Sequence, residues 1–300
     1  MSFIRSRQTG EEITFDVLQG DRGNRYRLNR YPLNKGRGGN GLVFEATALA
    51  PDGRPLYPCA VKILNNLTPQ RVDRFRNEIR IMEMLGNFER VATFHDSGEI
   101  GHGNLKFPWL AMVLGGPNFR ESIASNGPIP VEGGLLRRVA LQMCDALIHI
   151  HERKIIHRDI KHQNFVWAPV AFNMKPRDVL MLDFGIAKCD GEDVSGRPFD
   201  ELTQEAEFVG PAHTFASPEL VAYWTDKGTV VDHRSDLWQF GRVLWFLATT
   251  QLVTSMPDVD DDPTHGKLFD LVMQLTAHKP SKRPASATIL RELLSGALPE

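Results

Sequence analysis

Near Gly116 the chain changes its hydrophobic period. Before that point apolar residues alternate in short runs: Ile13, Phe15 and Val17 fall every second residue. A polar run over 19–24, containing Gly20 and Gly23, then offers a turn before Tyr26 and Leu28. The spacing predicts a hairpin over 12–31 and further strands over 42–46 and 59–63. A helix is expected next. Thr68 can cap it, Pro69 suits its first position and Gly86 its exit, and Val72, Phe75, Ile79, Met82 and Leu85 form its apolar stripe. Beyond Gly116 helical spacing takes over, across 135–152, 235–249, 267–276 and 286–294. A small β-rich region followed by a larger helical one is α+β in character, with Leu114-Gly115-Gly116 as the hinge.

Composition narrows the function classes. Three hundred residues, 42% hydrophobic and 24% charged, bury a full core and are typical of a globular protein. A net charge of −2 gives no whole-molecule field toward nucleic acid or an anionic membrane, so neither is an expected partner. Cys59, Cys144 and Cys189 lie far apart and without metal-type spacing, which suits a reducing, cytoplasmic compartment. The first residues lack the apolar core of a secretory signal, and the apolar stretch 243–253 is too short to cross a bilayer.

The chemistry concentrates in His157-Arg158-Asp159-Ile160-Lys161-His162-Gln163-Asn164, followed nineteen residues later by Asp183-Phe184-Gly185. An acidic base candidate, a lysine and an amide lie within six residues, with a second carboxylate beyond. Such a set suits phosphoryl transfer, which needs groups positioned and charge neutralised more than covalent chemistry. Upstream, Gly36-Arg37-Gly38-Gly39-Asn40-Gly41-Leu42-Val43 lies between two expected strands, where glycines let backbone N–H groups approach phosphates. A glycine-rich hairpin can equally do without a ligand. No Lys-Ser or Lys-Thr pair closes this one as in a Walker loop, and it continues as strand rather than helix. Lys62 follows Gly41 by twenty-one residues. An isolated lysine near a strand end is usually solvated, but Glu78 shares the apolar face of the expected helix. A carboxylate there is costly unless paired, and Lys62 is its natural partner.

These motifs resemble those of eukaryotic-like (Hanks-type) serine/threonine protein kinases. The resemblance extends through most of the chain. Ala216-Ser217-Pro218-Glu219 is similar to the Ala-Pro-Glu end of an activation segment. Asp236-Leu237-Trp238-Gln239-Phe240-Gly241 is similar to the start of the αF helix, and Arg283 to the arginine that pairs with that segment's glutamate. It implies a bilobed protein-kinase fold: a small β-rich N-lobe with one αC helix over 26–114, a larger, mainly helical C-lobe over 115–300, and an extension over 1–25 adding a strand to the N-lobe. It also implies ATP with Mg2+ (or Mn2+ as substitute) and a protein substrate, with an activator or a trans-phosphorylating partner as further candidates.

The implied roles follow. Asp159 orients the acceptor hydroxyl and Lys161 stabilises the transferred group. Asn164 and Asp183 hold metal. Gly36, Gly38 and Gly41 cover the nucleotide, Lys62 with Glu78 positions its phosphates, and Val43, Ala60, gatekeeper Met112 and the Val113 to Gly115 hinge hold the base. The Asp-Ile-Lys-x-x-Asn form resembles serine/threonine rather than tyrosine kinases. The segment Leu114-Gly115-Gly116-Pro117-Asn118-Phe119 locally resembles the hinge of the casein kinase I group.

The chain departs from the pattern in three places, the first being Asn40, at the loop tip where an aromatic is common. His162 stands where proline is usual, and Gly210-Pro211-Ala212-His213-Thr214 replaces the usual Gly-Thr, so peptide selection does not carry over. Arg158 and Lys188 are expected to form a cationic pocket for a phosphorylated Ser195, Thr203, Thr214 or Ser217. The rivals are a pseudokinase scaffold, which the retained Lys62, Asp159 and Asp183 oppose, and a small-molecule kinase, which Glu219 and Arg283 oppose. The acidic run 259–263 reads as a solvated connection in preference to a metal loop.

Overall fold

The structure, a computed structural model, describes residues 2–33, 41–169, 178–196, 215–252 and 257–300. The chain divides into two compact units. The first takes 1–88, 92–115 and 193–202, and the second 89–91, 116–192 and 203–300.

The first unit begins with β1 (Ser2–Arg5) and β2 (Glu12–Phe15), which pair antiparallel with Ile4 opposite Ile13. There follow β3 (Val17–Gln19), β4 (Arg25–Leu28), β5 (Leu42–Leu49), β6 (Pro55–Ile63), α1 (Pro69–Leu85), β7 (Phe94–His102) and β8 (Leu105–Val113). These form a six-stranded antiparallel sheet in the order β3-β4-β5-β6-β8-β7. Residues 12–31 are therefore not one hairpin. Their first strand turns away after Phe15 to bury Ile13 with Ile4, and only Val17–Gln19 returns to pair with Arg25–Leu28.

Strand alternation gives the sheet two different faces. One packs Leu42, Phe44, Ala46, Cys59, Val61, Ile63, Trp109 and Ala111 into a core that also takes Ile4 and Ile13 from the β1–β2 hairpin. The register places Val43 opposite Lys62 and Ala60 opposite Met112, which puts these four on the other face. The β3–β4 turn also ties the first strand of the order to the last. The Asp21 N–H donates to Ser97 O at 2.8 Å, and the buried Asp96 carboxylate accepts from the Arg22 N–H and from Asn24 Nδ2, each at 3.0 Å. Gly20 is required there, because a Cβ would collide with that carboxylate.

Helix α1 runs between Thr68 and Gly86, as its punctuation predicts, with Pro69 in its first turn, although the Thr68 side chain makes no capping bond. Phe75, Glu78, Ile81, Met82 and Leu85 are its buried side; Ile79 is only half-buried, and Ile81 is the residue fully inside.

The second unit holds α2 (Phe119–Asn126), opened by a capping box between Asn118 and Glu121, and α3 (Leu135–Glu152). Then come β9 (Ile155–Ile156), β10 (Phe165–Trp167), β11 (Val179–Met181), β12 (Lys188–Cys189), α4 (Pro218–Thr225), α5 (Arg234–Thr249), α6 (Lys267–Leu275) and α7 (Ala287–Ala297). Two short antiparallel pairs, β10 with β11 and β12 with β9, frame the loop between β9 and β10. Twelve of the sixteen residues of α5 are buried, so that helix is the unit's internal post. The acidic run near 260 is a capping structure: Asp262 accepts from the Thr264 N–H and hydroxyl and from the Phe269 N–H. Among the described residues no group of three or more His, Cys, Asp and Glu side chains could hold a metal ion.

Candidate active site

In the second unit the loop from His157 to Asn164 gathers three of the expected residues. Lys161 Nζ lies 2.6 Å from Asp159 Oδ2, and Asn164 Nδ2 donates to the same oxygen at 3.0 Å and to the Asp159 carbonyl at 2.8 Å. A carboxylate held by a cation and an amide can take a hydroxyl proton at its other oxygen while the lysine faces a phosphoryl group.

The loop backbone is held from α5. Asp236, fully buried, accepts the His157 N–H on Oδ2 and the Arg158 N–H on Oδ1, both at 2.8 Å, and His151 Nε2 donates to it at 2.9 Å. Burial alone would push the Asp236 carboxyl up; the bonds from His151 and the His157 backbone outweigh it and hold it below the usual carboxylate range. One participant was not foreseen: Gln239, one turn on from Asp236, bonds the same loop. No spacing rule marks it, because an interior glutamine on a helix announces no partner.

Asp183 follows β11 with a left-handed backbone, φ 63°. Its neighbours fasten it to the loop. The Leu182 N–H donates to Asn164 O at 2.8 Å, His157 Nε2 donates to Leu182 O at 3.1 Å, and the Phe184 and His157 rings lie 5.0 Å apart. With Nδ2 turned to Asp159, Asn164 presents its amide oxygen as a donor, and Asp183 adds a carboxylate. Two hard oxygen donors completed by substrate phosphates are the set magnesium takes, so the residues fit that ion.

In the first unit Lys62 Nζ reaches both Glu78 oxygens, at 2.6 and 2.8 Å, with both side chains buried. Val43, Ala60 and Met112 share the face of Lys62. Gly41, at φ +116°, is placed so that a Cβ would crowd the Ile63 carbonyl. Val113 donates its N–H to Thr93 O at 3.0 Å, and Gly115 is the last residue of this run of the first unit. Gly36 and Gly38 lie outside the described residues, as do Thr203 and Thr214.

Further along the second unit, Arg283 meets Glu219 in a two-point pair, Nη1 to Oε1 at 2.6 Å and Nη2 to Oε2 at 2.9 Å. Its remaining donors reach the carbonyls of Ala277, Arg234 and His278. Burial pushes the Glu219 carboxyl up, but the Arg283 bonds prevail and hold it below the usual range. The candidate acceptors differ sharply. Ser217 is fully buried, caps α4 through the Leu220 N–H and bonds Ser235 Oγ, so its hydroxyl is structural here. Ser195 is exposed and bonds Asp193, which also takes Arg80 of α1 at 2.8 Å. The Arg158 guanidinium lies over the Tyr223 ring, and Lys188 pairs with Asp190 at 3.0 Å.

The protein kinase domain model matches residues 34–295, most of the chain. The chain belongs to the protein kinase family. That family's bilobed α+β fold agrees with a β-rich first unit and a helical second one. Over 248 residues, 79% of the chain and 35% of the relative, it is 29% identical to the probable serine/threonine-protein kinase PknB of Corynebacterium glutamicum. Over 279 residues, 86% and 33%, it is 30% identical to the probable serine/threonine-protein kinase PkwA of Thermomonospora curvata. Over 306 residues, 95% and 40%, it is 29% identical to the serine/threonine-protein kinase Pkn1 of Myxococcus xanthus. The chain thus spans well under half the length of these relatives. No helix among the described residues is long and apolar enough to cross a membrane.

Proposed function

We propose that this chain is a serine/threonine protein kinase that transfers the γ-phosphoryl of ATP to a protein hydroxyl. The observation that carries the reading is the contact of Asp159 with both Lys161 and Asn164 on a loop fastened to Asp236. In the step, the acceptor oxygen bonds the γ-phosphorus as the bond to the β–γ bridging oxygen breaks. The hydroxyl proton passes to Asp159, and the electron pair leaves with ADP. Lys161 faces the charge of the transferring group. Lys62, oriented by Glu78, takes the α- and β-phosphates, and Gly41 with Gly36 and Gly38 covers them. Val43, Ala60, Met112 and the backbone of Val113 to Gly115 hold the base. Asn164 and Asp183 would hold Mg2+, with Mn2+ as substitute, which supplies charge neutralisation on the phosphates when bound.

The parts read as an extension over 1–25, an N-lobe over 26–114 and a C-lobe over 115–300; the division of the two units after Gly115 supports the last boundary. We read the run from Leu114 to Phe119 as locally like the casein kinase I hinge. Ser195 is the favoured autophosphorylation site among the described candidates, being exposed beside the Asp193–Arg80 pair. A trans-phosphorylating partner would then activate it. Three buried, unbridged cysteines support a reducing, cytoplasmic setting.

The test is label transfer from γ-labelled ATP with magnesium to a generic protein acceptor, for wild type, Asp159→Ala and Asp183→Ala. Label on serine or threonine, lost at least about a hundredfold in both variants, is the expected result. A folded wild type that binds ATP yet transfers nothing would favour a scaffold, and turnover needing a metabolite but no protein would favour a small-molecule kinase.

A further inference from the structure

Four consecutive backbone N–H groups around Asp159 end on side chains. Those of His157 and Arg158 go to Asp236, that of Asp159 goes to His157 Nδ1 at 3.3 Å, and that of Ile160 goes to Gln239 Oε1 at 3.0 Å. Gln239 also donates, from Nε2 to the Arg158 carbonyl at 3.0 Å. Its one amide therefore grips the peptide group before Asp159 and the peptide group after it. Fixing both planes fixes both backbone torsions of Asp159, and with them the direction of its side chain. Gln239 is 2% exposed, so water cannot replace either bond. The loop needs such restraint, since Arg158 is held at φ 64°, a conformation L side chains adopt only when their surroundings over-determine it.

We propose that Gln239 is a positioning residue for phosphoryl transfer, a two-point clamp that aims Asp159. The proposal rests on the kinase reading above. Its chemistry is specific: an adjacent acceptor and donor at this length are offered by glutamine or by a protonated glutamic acid. Asparagine is one methylene short, and a glutamate anion sets an oxygen against the Arg158 carbonyl.

The experiment compares wild type, Q239M and Q239E at equal folded fraction, with kcat and KM for ATP measured from pH 6 to pH 8. Q239M keeps the bulk and loses both bonds; its kcat should fall about 10- to 100-fold with KM for ATP within about twofold, the signature of a misaimed reacting group. Q239E should be as poor at pH 8. Relative to wild type at the same pH it should recover at least about fivefold by pH 6, because a buried carboxyl protonates readily and then restores donor and acceptor. A packing role alone would give no such recovery. Q239M within about twofold of wild type, or Q239E without recovery, overturns the proposal. Where Q239M does not fold, Q239A takes its place. Should wild type itself transfer no phosphoryl, the kinase reading fails. Amide exchange at 158–160 then decides: faster exchange in Q239M than in wild type upholds the clamp, and equal exchange overturns it.

Discussion

His162 occupies the position after Lys161 that proline usually takes, and its setting is apolar. The ring is buried, 5.0 Å from that of Phe215 and 4.6 Å from that of Phe246. Burial, reinforced by the nearby Arg120 and Lys161 charges, pushes its pKa down to about 4; a bond with Gln163 opposes this. The folded state therefore resists a proton that the unfolded chain accepts near the ordinary histidine value of about 6.5. Stability is whole above that value and is lost as pH falls from about 6.5 towards about 4. Urea titrations at pH 7.5 and 5.5 should show a drop for wild type and a smaller one for His162→Leu, with a residue left by His95, which burial also pushes down. An equal drop in both proteins would place the acid sensitivity elsewhere. At this scale the sequence shows chemistry better than placement. Asp159, Lys161, Asn164, Lys62 and Glu78 declare themselves because charged and polar residues in an apolar or closely spaced setting demand partners. Gln239 and His162 do not, because their importance comes from groups eighty residues away or from two distant rings.

Helices were legible where caps and period agreed. Leu135–Glu152 carries an unbroken apolar stripe, and Pro69–Leu85 is bracketed by Pro69 and Gly86. Strands β1, β7 and β8 escaped for a different reason. Ser2–Arg5 is four residues long and gains its identity only from pairing, while Phe94–His102 alternates around Ser97, Gly98 and Gly101, residues that favour turns. Gly98 is small because of Trp109, whose ring a Cβ would meet below 3 Å, a constraint no local pattern displays. The joining of β3 to β7 likewise draws on a side chain distant in sequence, beside the Asp21 N–H bond to Ser97 O. Asp96 accepts from the Arg22 and Ser97 N–H groups and from Asn24 Nδ2, so Asp96→Ala strands three donors at the two ends of the sheet order. The expected loss is about 2–4 kcal/mol in denaturant unfolding, given that bonds to charged acceptors contribute about 1.5–3 kcal/mol each and some donors will find water. Arg22→Ala removes only a half-exposed pair with Glu83 and a place over the Phe94 ring, and should cost less than about 1 kcal/mol. Equal losses for the two would mean that Asp96 does not join the strands.

The molecule as a whole is larger than its family signature. The kinase match begins at residue 34, yet Ser2–Arg5, Glu12–Phe15, Val17–Gln19 and Arg25–Leu28 precede it and are built into the first unit. Ile4, Ile13, Leu18, Tyr26 and Leu28 are buried in the same core as Phe44, Val61 and Trp109, and Tyr26 meets Trp109 edge-on at 5.6 Å. The hairpin over 2–15 therefore acts as a lid on the sheet face opposite Lys62, and β4 completes the hydrogen bonding of β5. A fragment cut to 34–295 loses both. It leaves a row of unpaired β5 backbone groups beside a stripped apolar face, the combination that drives strands of separate molecules together. That fragment should aggregate or unfold without a cooperative transition. The intermediate fragment 17–300 keeps β3 and β4 and loses only the lid. Removing the side chains of Ile4 and Ile13 from the core costs about 4–8 kcal/mol together, which predicts a Tm lower by about 10 °C or more with dye binding to the exposed face. Calorimetry on the three lengths checks the order. If 34–295 melts cooperatively at the temperature of the full chain, the first 33 residues are an accessory, and the core would have to be redrawn without them.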